Sequence, residues 1–237
     1  MRREVWAIYG LSFVRIPTNR PVRRRSQPDR IFGSAEDKWL AVVKRTRELH
    51  DEERPVLIGT RTVAASERLS GLLLEAALPH QVLSAKQDKE EALIVARAGE
   101  SGRITIATNM AGRGTDIKLS AGVAKRGGLH VLMTERPEAG RIDRQLAGRC
   151  GRQGDPGSYE AFLSLEDPLL RDGASVFFGK VMKWLRGTGY DKWKVSGRYA
   201  MIRAQQRIEK VHAGVRKRLL KYDEEQGDRL SFSGRSE

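Results

Sequence analysis

The apolar positions along this chain alternate between two periods. After Ser34, the residues Trp39, Leu40, Val42, Val43 and Leu49 recur at helical spacing. Ser34 followed by Asp37 resembles a capping box, with Asp in place of the usual Glu or Gln. A helix is predicted over 34–50. Short apolar runs and helical stretches then take turns. Strands are predicted at 56–58, 81–84, 103–108, 129–134 and 159–165, and helices at 66–77, near 88–98 and near 140–149. This alternation predicts an α/β fold, a parallel sheet covered by helices on both faces. Ligands on such sheets gather in loops at the strand C-terminal ends.

The flanks read differently. Pro17 and Pro21 keep the segment before residue 30 from being helical, and the run Arg23 to Arg25 followed by Pro28 continues its extended character. Residues 176–186 predict a short apolar helix. Tyr199, Ile202, Ile208, Val211, Val215 and Leu219 form one apolar stripe on a long basic helix over 197–222. That helix has no core of its own and must pack on something. The polar residues 231–237 are expected to fray. The resulting division is a connector at 1–30, a globular unit at 31–170 and a helical segment at 171–237.

Composition narrows the class. The chain has 237 residues, 39% of them hydrophobic, enough for a core. No run approaches the ~20 apolar residues of a membrane span. A lone cysteine, Cys150, excludes a disulfide framework and a cysteine-based zinc site, and no metal ligands are assigned. The first residues lack an apolar run of signal-peptide length, so a cytoplasmic chain is expected despite Arg2 and Arg3. The net charge of +14 sits on the flanks: +6 over 1–30, zero over 31–170 and +8 over 171–237. Basic flanks suit nucleic acid, acidic lipid headgroups or an acidic protein surface. A solvated surface explains the same charge.

Two loops carry candidate chemistry. In Thr108-Asn-Met-Ala-Gly-Arg-Gly-Thr-Asp116, Gly112 and Gly114 let the backbone turn and approach a ligand, and Arg113 can meet phosphate charge. Asp116 can accept hydrogen bonds from a ribose or from a basic partner. In Gln145-Leu-Ala-Gly-Arg-Cys-Gly-Arg-Gln-Gly154, Arg149 and Arg152 are three apart and on a helical turn would share a face. Two guanidinium groups aimed together suit a polyphosphate, as in an arginine finger. The plain alternatives are a Gly-rich turn with a surface Arg–Asp pair, and surface arginines bridging to Asp143 or Asp155. In this order and about 30 residues apart, the loops resemble motifs V and VI of helicase-type motor ATPases. No Gly-x-x-x-x-Gly-Lys-Ser/Thr loop and no strand-end Asp-Glu pair occurs in the sequence. The chain therefore reads as the second RecA-like domain of such a motor.

The wording is more specific still. Ile104 to Ile117 is very similar to motif V of the SecA family of preprotein-translocase motors. Gly127 to His130, Thr134 to Arg136, Arg141 to Asp143 and Gly148 to Gly157 resemble the segments that follow it there. Ile16-Pro-Thr-Asn-Arg-Pro21, Val56 to Thr60 and Gln81 to Lys86 resemble the entry and first strands of the same domain. Ala204 to Glu209 and Arg216 to Asp223 resemble the start of the helical scaffold. The resemblance implies a RecA-like P-loop NTPase sheet followed by a long scaffold helix, and ATP-driven movement of unfolded preproteins through the SecYEG channel. It implies Asp116, Arg113, Gly112, Gly114 and Gln145 as nucleotide-side residues, and Arg149 and Arg152 as catalytic arginines with Arg152 as the finger. ATP with magnesium would be held mainly by a first motor domain, so the resemblance does not make this chain by itself an ATPase. Implied partners are that first domain, SecYEG, preproteins and anionic phospholipid. A peripheral site on the inner face of the bacterial membrane follows, and a homodimer of the parent protein is compatible. The alternative is the C-terminal RecA-like domain of a superfamily 2 nucleic-acid helicase, but nucleic acid does not explain the entry and exit segments. Where the family usually has Ser, this chain has Cys150; Pro137 stands for a usual His, one nearby Arg is lost, and a usual Gly-Gly near Ser120 and Ala121 is absent. The chain is expected to be a piece of a longer motor or a divergent paralogue.

Overall fold

A computed structural model describes residues 5–6, 9–12, 14–83, 88–108, 115–173 and 192–233. Seven parallel strands form its centre. They are β1 (Arg24–Ser26), β2 (Arg30–Phe32), β3 (Val56–Thr60), β4 (Gln81–Leu83), β5 (Ile104–Thr108), β6 (Leu129–Met133) and β7 (Gly157–Ser164). The order is β1-β7-β6-β3-β5-β4, with β2 also paired to β7, and every pairing is parallel. The helices are α1 (Ala35–Asp51), α2 (Val63–Glu75), α3 (Asp88–Arg97), α4 (Gly140–Ala147), α5 (Pro168–Gly173) and α6 (Lys192–Ser233). The α/β class expected from the alternating runs is the observed one.

The central strands are apolar on both sides because both faces are covered. Val56, Ile58, Ile104, Ile106 and Leu132 bury against Trp39, Val42 and Leu49 of α1 and Leu69 and Leu73 of α2. Their neighbours Leu57, Val131 and Met133 point the other way. They join Val95 of α3, Ala147 of α4, Leu169 and Leu170 of α5, and Ala200, Met201 and Ala204 of α6. Thr108 and Ile117, at the described ends of the first candidate loop, and Arg149 of the second lie on this second face.

The α1 cap forms as its sequence predicts. The Ser34 hydroxyl accepts from the Asp37 amide at 3.1 Å, and Glu36 and Asp37 place negative charge in the first turn. Ser34→Ala is expected to cost about 1 kcal/mol in urea unfolding.

Two expectations need correction. Two strands that sequence reading did not predict, β1 within the extended segment and β2 at its end over Arg30–Phe32, are both laid along β7. The long helix exists, but its packed face is not the predicted stripe. Ala200, Met201 and Ala204 are buried against the second core, joined by the partly buried Ile208, the stripe residue that does pack there, whereas Tyr199, Ile202, Val211, Val215 and Leu219 are exposed. Small residues let α6 approach α5 and β2 closely, and small residues leave little hydrophobic signal. The predicted helix at 176–186 lies outside the described residues.

A buried polar cluster lies on the α1 side. His130 Nδ1 is 2.7 Å from Ser158 Oγ, and its Nε2 is 3.0 Å from Glu160 Oε1. Arg45 also donates to Glu160 at 2.8 Å, and Arg54 donates to Ser158 at 2.9 Å. Burial holds the His130 pKa below its ordinary 6.5, outweighing the nearby carboxylate. The Nε2–H tautomer satisfies both neighbours, with Ser158 donating to Nδ1. Burial would raise the Glu160 pKa, but the hydrogen bonds from His130 and Arg45 overcome it and leave it lowered. In acid the unfolded chain therefore takes up protons that the folded chain refuses. Stability should fall as pH drops below 6.5 through His130, and further below 4.5 through Glu160. A Tm series against pH checks this, and His130→Gln should flatten the upper part of the slope.

Candidate functional site

The site is built from two returns of the chain on the second face. The first follows β5. Asn109, Met110, Ala111, Gly112, Arg113 and Gly114 lie outside the described residues, and the chain is described again from Thr115 and Asp116. The second begins with α4, which ends at Gly148. Arg149 and Arg152 therefore follow the helix rather than sit on it, and they do not share a helical face. Nor do they stand at the C-terminal end of a strand, because this connection enters β7 at its start.

The two arginines go to different depths. Arg149 is 8% exposed, and its Nη1 donates to the Thr115 carbonyl at 3.2 Å. It lines a narrow cleft with Gln145, Thr108 and Ile117. Arg152 is 35% exposed; its Nε donates to the Gly148 carbonyl at 2.9 Å and its Nη1 to Asp116 Oδ1 at 2.8 Å. Asp116 is 42% exposed. The structure thus brings Gln145, Arg149, Arg152 and Asp116 to one place and pairs the last two. The suggested bridges from these arginines to Asp143 or Asp155 are not the arrangement for Arg152. Asp143 faces Arg136 at 3.2 Å instead, and burial raises its pKa in spite of that arginine.

Helix α4 is positioned from outside. Ala139 offers no side-chain cap, and the Gly140 amide donates to Glu209 Oε1 of α6 at 2.6 Å. Gln205 of α6 donates to the Pro137 carbonyl at 2.8 Å and to Asp143 Oδ2 at 2.7 Å. Sequence reasoning assigned no role to Gln205 or Glu209. Their position one turn apart on a helix face is their only sequence signal. Cys150 is buried behind the arginines with its thiol 3.3 Å from the Ala147 carbonyl, and burial pushes its pKa up to about 11. A thiol so protonated is a packing group in the place of a serine.

Asp116 and Arg152, from loops 36 residues apart, are joined directly, a contact that the reading of each loop did not predict. The sequence model of the SecA P-loop domain matches residues 21–124 and 120–188. The chain belongs to the SecA P-loop domain family. It is 51% identical over 237 residues to protein translocase subunit SecA 2 of Bordetella avium, covering 100% of this chain and 36% of that protein. It is 49% identical over 226 residues to protein translocase subunit SecA of Christiangramia forsetii, covering 93% and 20%. The chain spans between 20% and 36% of the length of these curated SecA relatives. Among solved structures, the Escherichia coli DEAD-box protein SrmB bound to regulator of ribonuclease activity A is similar at a TM-score of 0.49 and 23% identity. That match covers 62% of this chain and 81% of that one. No helix of the described residues is long and apolar enough to cross a membrane.

Proposed function

We propose that this chain acts as the second motor domain of a SecA-type, ATP-driven translocase that moves unfolded preproteins through SecYEG. In this reading residues 1–30 connect to preceding domains, 31–170 form the motor domain and 171–237 begin the helical scaffold. ATP is the substrate, gripped with its magnesium by a first RecA-like domain. This domain supplies the other wall of the cleft. Arg152 is the finger that offsets charge on the departing γ-phosphate. Arg149 supports it from below, and Asp116, Gly112, Arg113 and Gly114 meet the nucleotide. Gln145 links that wall to α4, and Glu209 passes movement between α4 and the scaffold helix. The basic flanks suit an anionic phospholipid surface on the inner face of the bacterial membrane.

The observation that carries this reading is the Asp116–Arg152 contact at 2.8 Å. It gathers both proposed nucleotide-side charges at one exposed point on the α4 face. Arg152 fits a phosphate: its guanidinium is partly exposed and permanently charged, with donors left over from its two bonds. Its carboxylate partner holds it in place until a more highly charged acceptor competes. The test is ATP turnover by the chain alone and mixed with a separately produced SecA first motor domain. Stimulation in the mixture, abolished by Arg152→Ala, is the expected result. An unstimulated mixture overturns the reading, and so does turnover by this chain alone.

A further inference from the structure

The loop that carries Arg152 is held by residues from the opposite end of the sequence. It turns sharply, with the Asp155 amide donating to the Arg152 carbonyl at 2.8 Å and positive φ at Gly151 (63°), Gln153 (53°) and Gly154 (84°). Its peptide groups belong to no strand ladder. Arg24 Nε of β1 instead donates to the Cys150 carbonyl at 2.9 Å, and Arg20 Nη1 donates to the Gln153 carbonyl at 2.9 Å. The two carbonyls bracket Arg152 in the chain. The crossing is close. A Cβ on Gly151 would stand 2.8 Å from Cβ of Arg24, and one on Gly154 would stand 3.2 Å from Cδ of Arg20. Glycine suits both positions for its φ, and at Gly151 also for the space that the incoming Arg24 takes. The register of β1 places Arg24 opposite Gly157, so pairing along β7 also sets where Arg24 reaches the loop.

We propose that Arg20 and Arg24 are positioning residues for Arg152, and that the segment 20–26 is a brace fixing the backbone of the arginine loop. Arg152 anchors its own side chain to Gly148 and Asp116, and its carbonyl accepts from the Asp155 amide, whereas the Cys150 and Gln153 carbonyls on either side are held from the N-terminal segment. A charged donor on a part-buried carbonyl is among the stronger single hydrogen bonds. A segment that enters from preceding domains and sets this loop also gives those domains a mechanical hold on the finger.

This inference rests on the proposed motor role only for its consequence in turnover, and the test separates the two. The first arm uses this chain alone and reads amide hydrogen exchange by NMR. In Arg20→Ala/Arg24→Ala, exchange at the Asp155 amide, which donates to the Arg152 carbonyl between the two braced carbonyls, should quicken about tenfold or more, with β3 and β5 amides unchanged. Arg24→Lys should restore part of the protection. Gly151→Ala, which displaces Arg24 from the other side, should reproduce the loss. Unchanged loop exchange, or one uniform rise across loop and sheet, overturns the brace. The second arm reads ATP turnover in the mixture with the first motor domain. Arg24→Ala should lower kcat about tenfold at unchanged KM, and it should add nothing to Arg152→Ala. Additive losses in that cycle overturn the assignment. A wild-type mixture without turnover sinks the motor reading, and loop exchange still decides the brace.

Discussion

Arg152→Ala is expected to lower ATP turnover of the complemented motor by about three orders of magnitude, with little change in KM for ATP. The size follows from what a finger does. Charge builds on the transferring phosphoryl group only as the bond breaks, and an aligned guanidinium meets that charge at the moment it appears, an effect of about 10³ to 10⁵ in rate. An interaction made only in the transition state shows in kcat and leaves ground-state binding alone. Arg152→Lys should recover little, because one ammonium cannot keep the Gly148 carbonyl and Asp116 and also reach a phosphate. Asp116→Asn offers a contrasting result. It frees Arg152 from its resting partner, so any loss it causes belongs to the nucleotide side and should appear in KM as well. Steady-state kinetics over a range of ATP concentrations separates the two patterns. Equal loss from Arg152→Ala and Arg152→Lys in KM alone would remove the finger assignment.

The second large effect concerns stability. Lys38 and Asp167 form an ion pair at 2.6 Å with side chains 2% and 4% exposed, joining α1 to the turn after β7. Burial raises the Asp167 pKa even with Lys38 beside it. Lys38→Met keeps the volume and removes the counter-charge, and should cost about 3–5 kcal/mol at neutral pH. The sign with pH is set by the carboxyl. A folded-state pKa raised above the unfolded 3.8 means the folded chain holds the proton longer, so the variant's deficit should shrink as pH falls into that window. Lys38→Met/Asp167→Asn should recover most of the loss, because Asn stays neutral and can still accept from the Ser164 amide, now at 2.8 Å from Asp167. Urea unfolding at pH 7 and pH 5 checks all three statements. A double variant as unstable as the single one would show that packing, not charge, sets the cost.

The central architecture was legible because its signals are local. Val56 to Ile58 and Leu129 to Thr134 are dense apolar runs, and Ser34 marks a helix start that the structure reproduces to within a residue. β1 and β2 were not legible as strands. They are three residues each, rich in arginine, and owe their form to β7 more than 120 positions later. The end of α4 was set two residues late, and the shared face for Arg149 and Arg152 came from their spacing of three on a helical turn that the chain does not make there. The stop is local: Gly148 caps the helix, and Gly151 and Gly154 take positive φ just beyond it, a glycine signal that apolar spacing overlooks. In α6 the apolar stripe was read by hydrophobicity, whereas the face that packs is chosen by size, through Ala200 and Ala204. The two loops together carried the family resemblance, but the direct Asp116–Arg152 contact was not legible, since it joins side chains 36 positions apart with no spacing to detect. Arg20 and Arg24 gave no signal for their role, because a side chain bonding a distant carbonyl has no spacing to detect.

The attachment of β1 to the far edge of the sheet has a consequence for how the chain is made. Arg24 meets the Cys150 carbonyl across 126 positions, and Arg20 meets Gln153 across 133. Closing so long a loop is entropically slow, and pairings of this kind are reached after local ones. On the ribosome, where residues emerge at roughly 5–20 per second, β1 waits outside the exit tunnel for about ten seconds before β7 exists. In that interval it is an unpaired, arginine-rich strand whose like charges keep copies on neighbouring ribosomes apart. The loop between α4 and β7 therefore gains its contacts to Arg20 and Arg24 only after β7 has emerged, late among the pairings of the sheet.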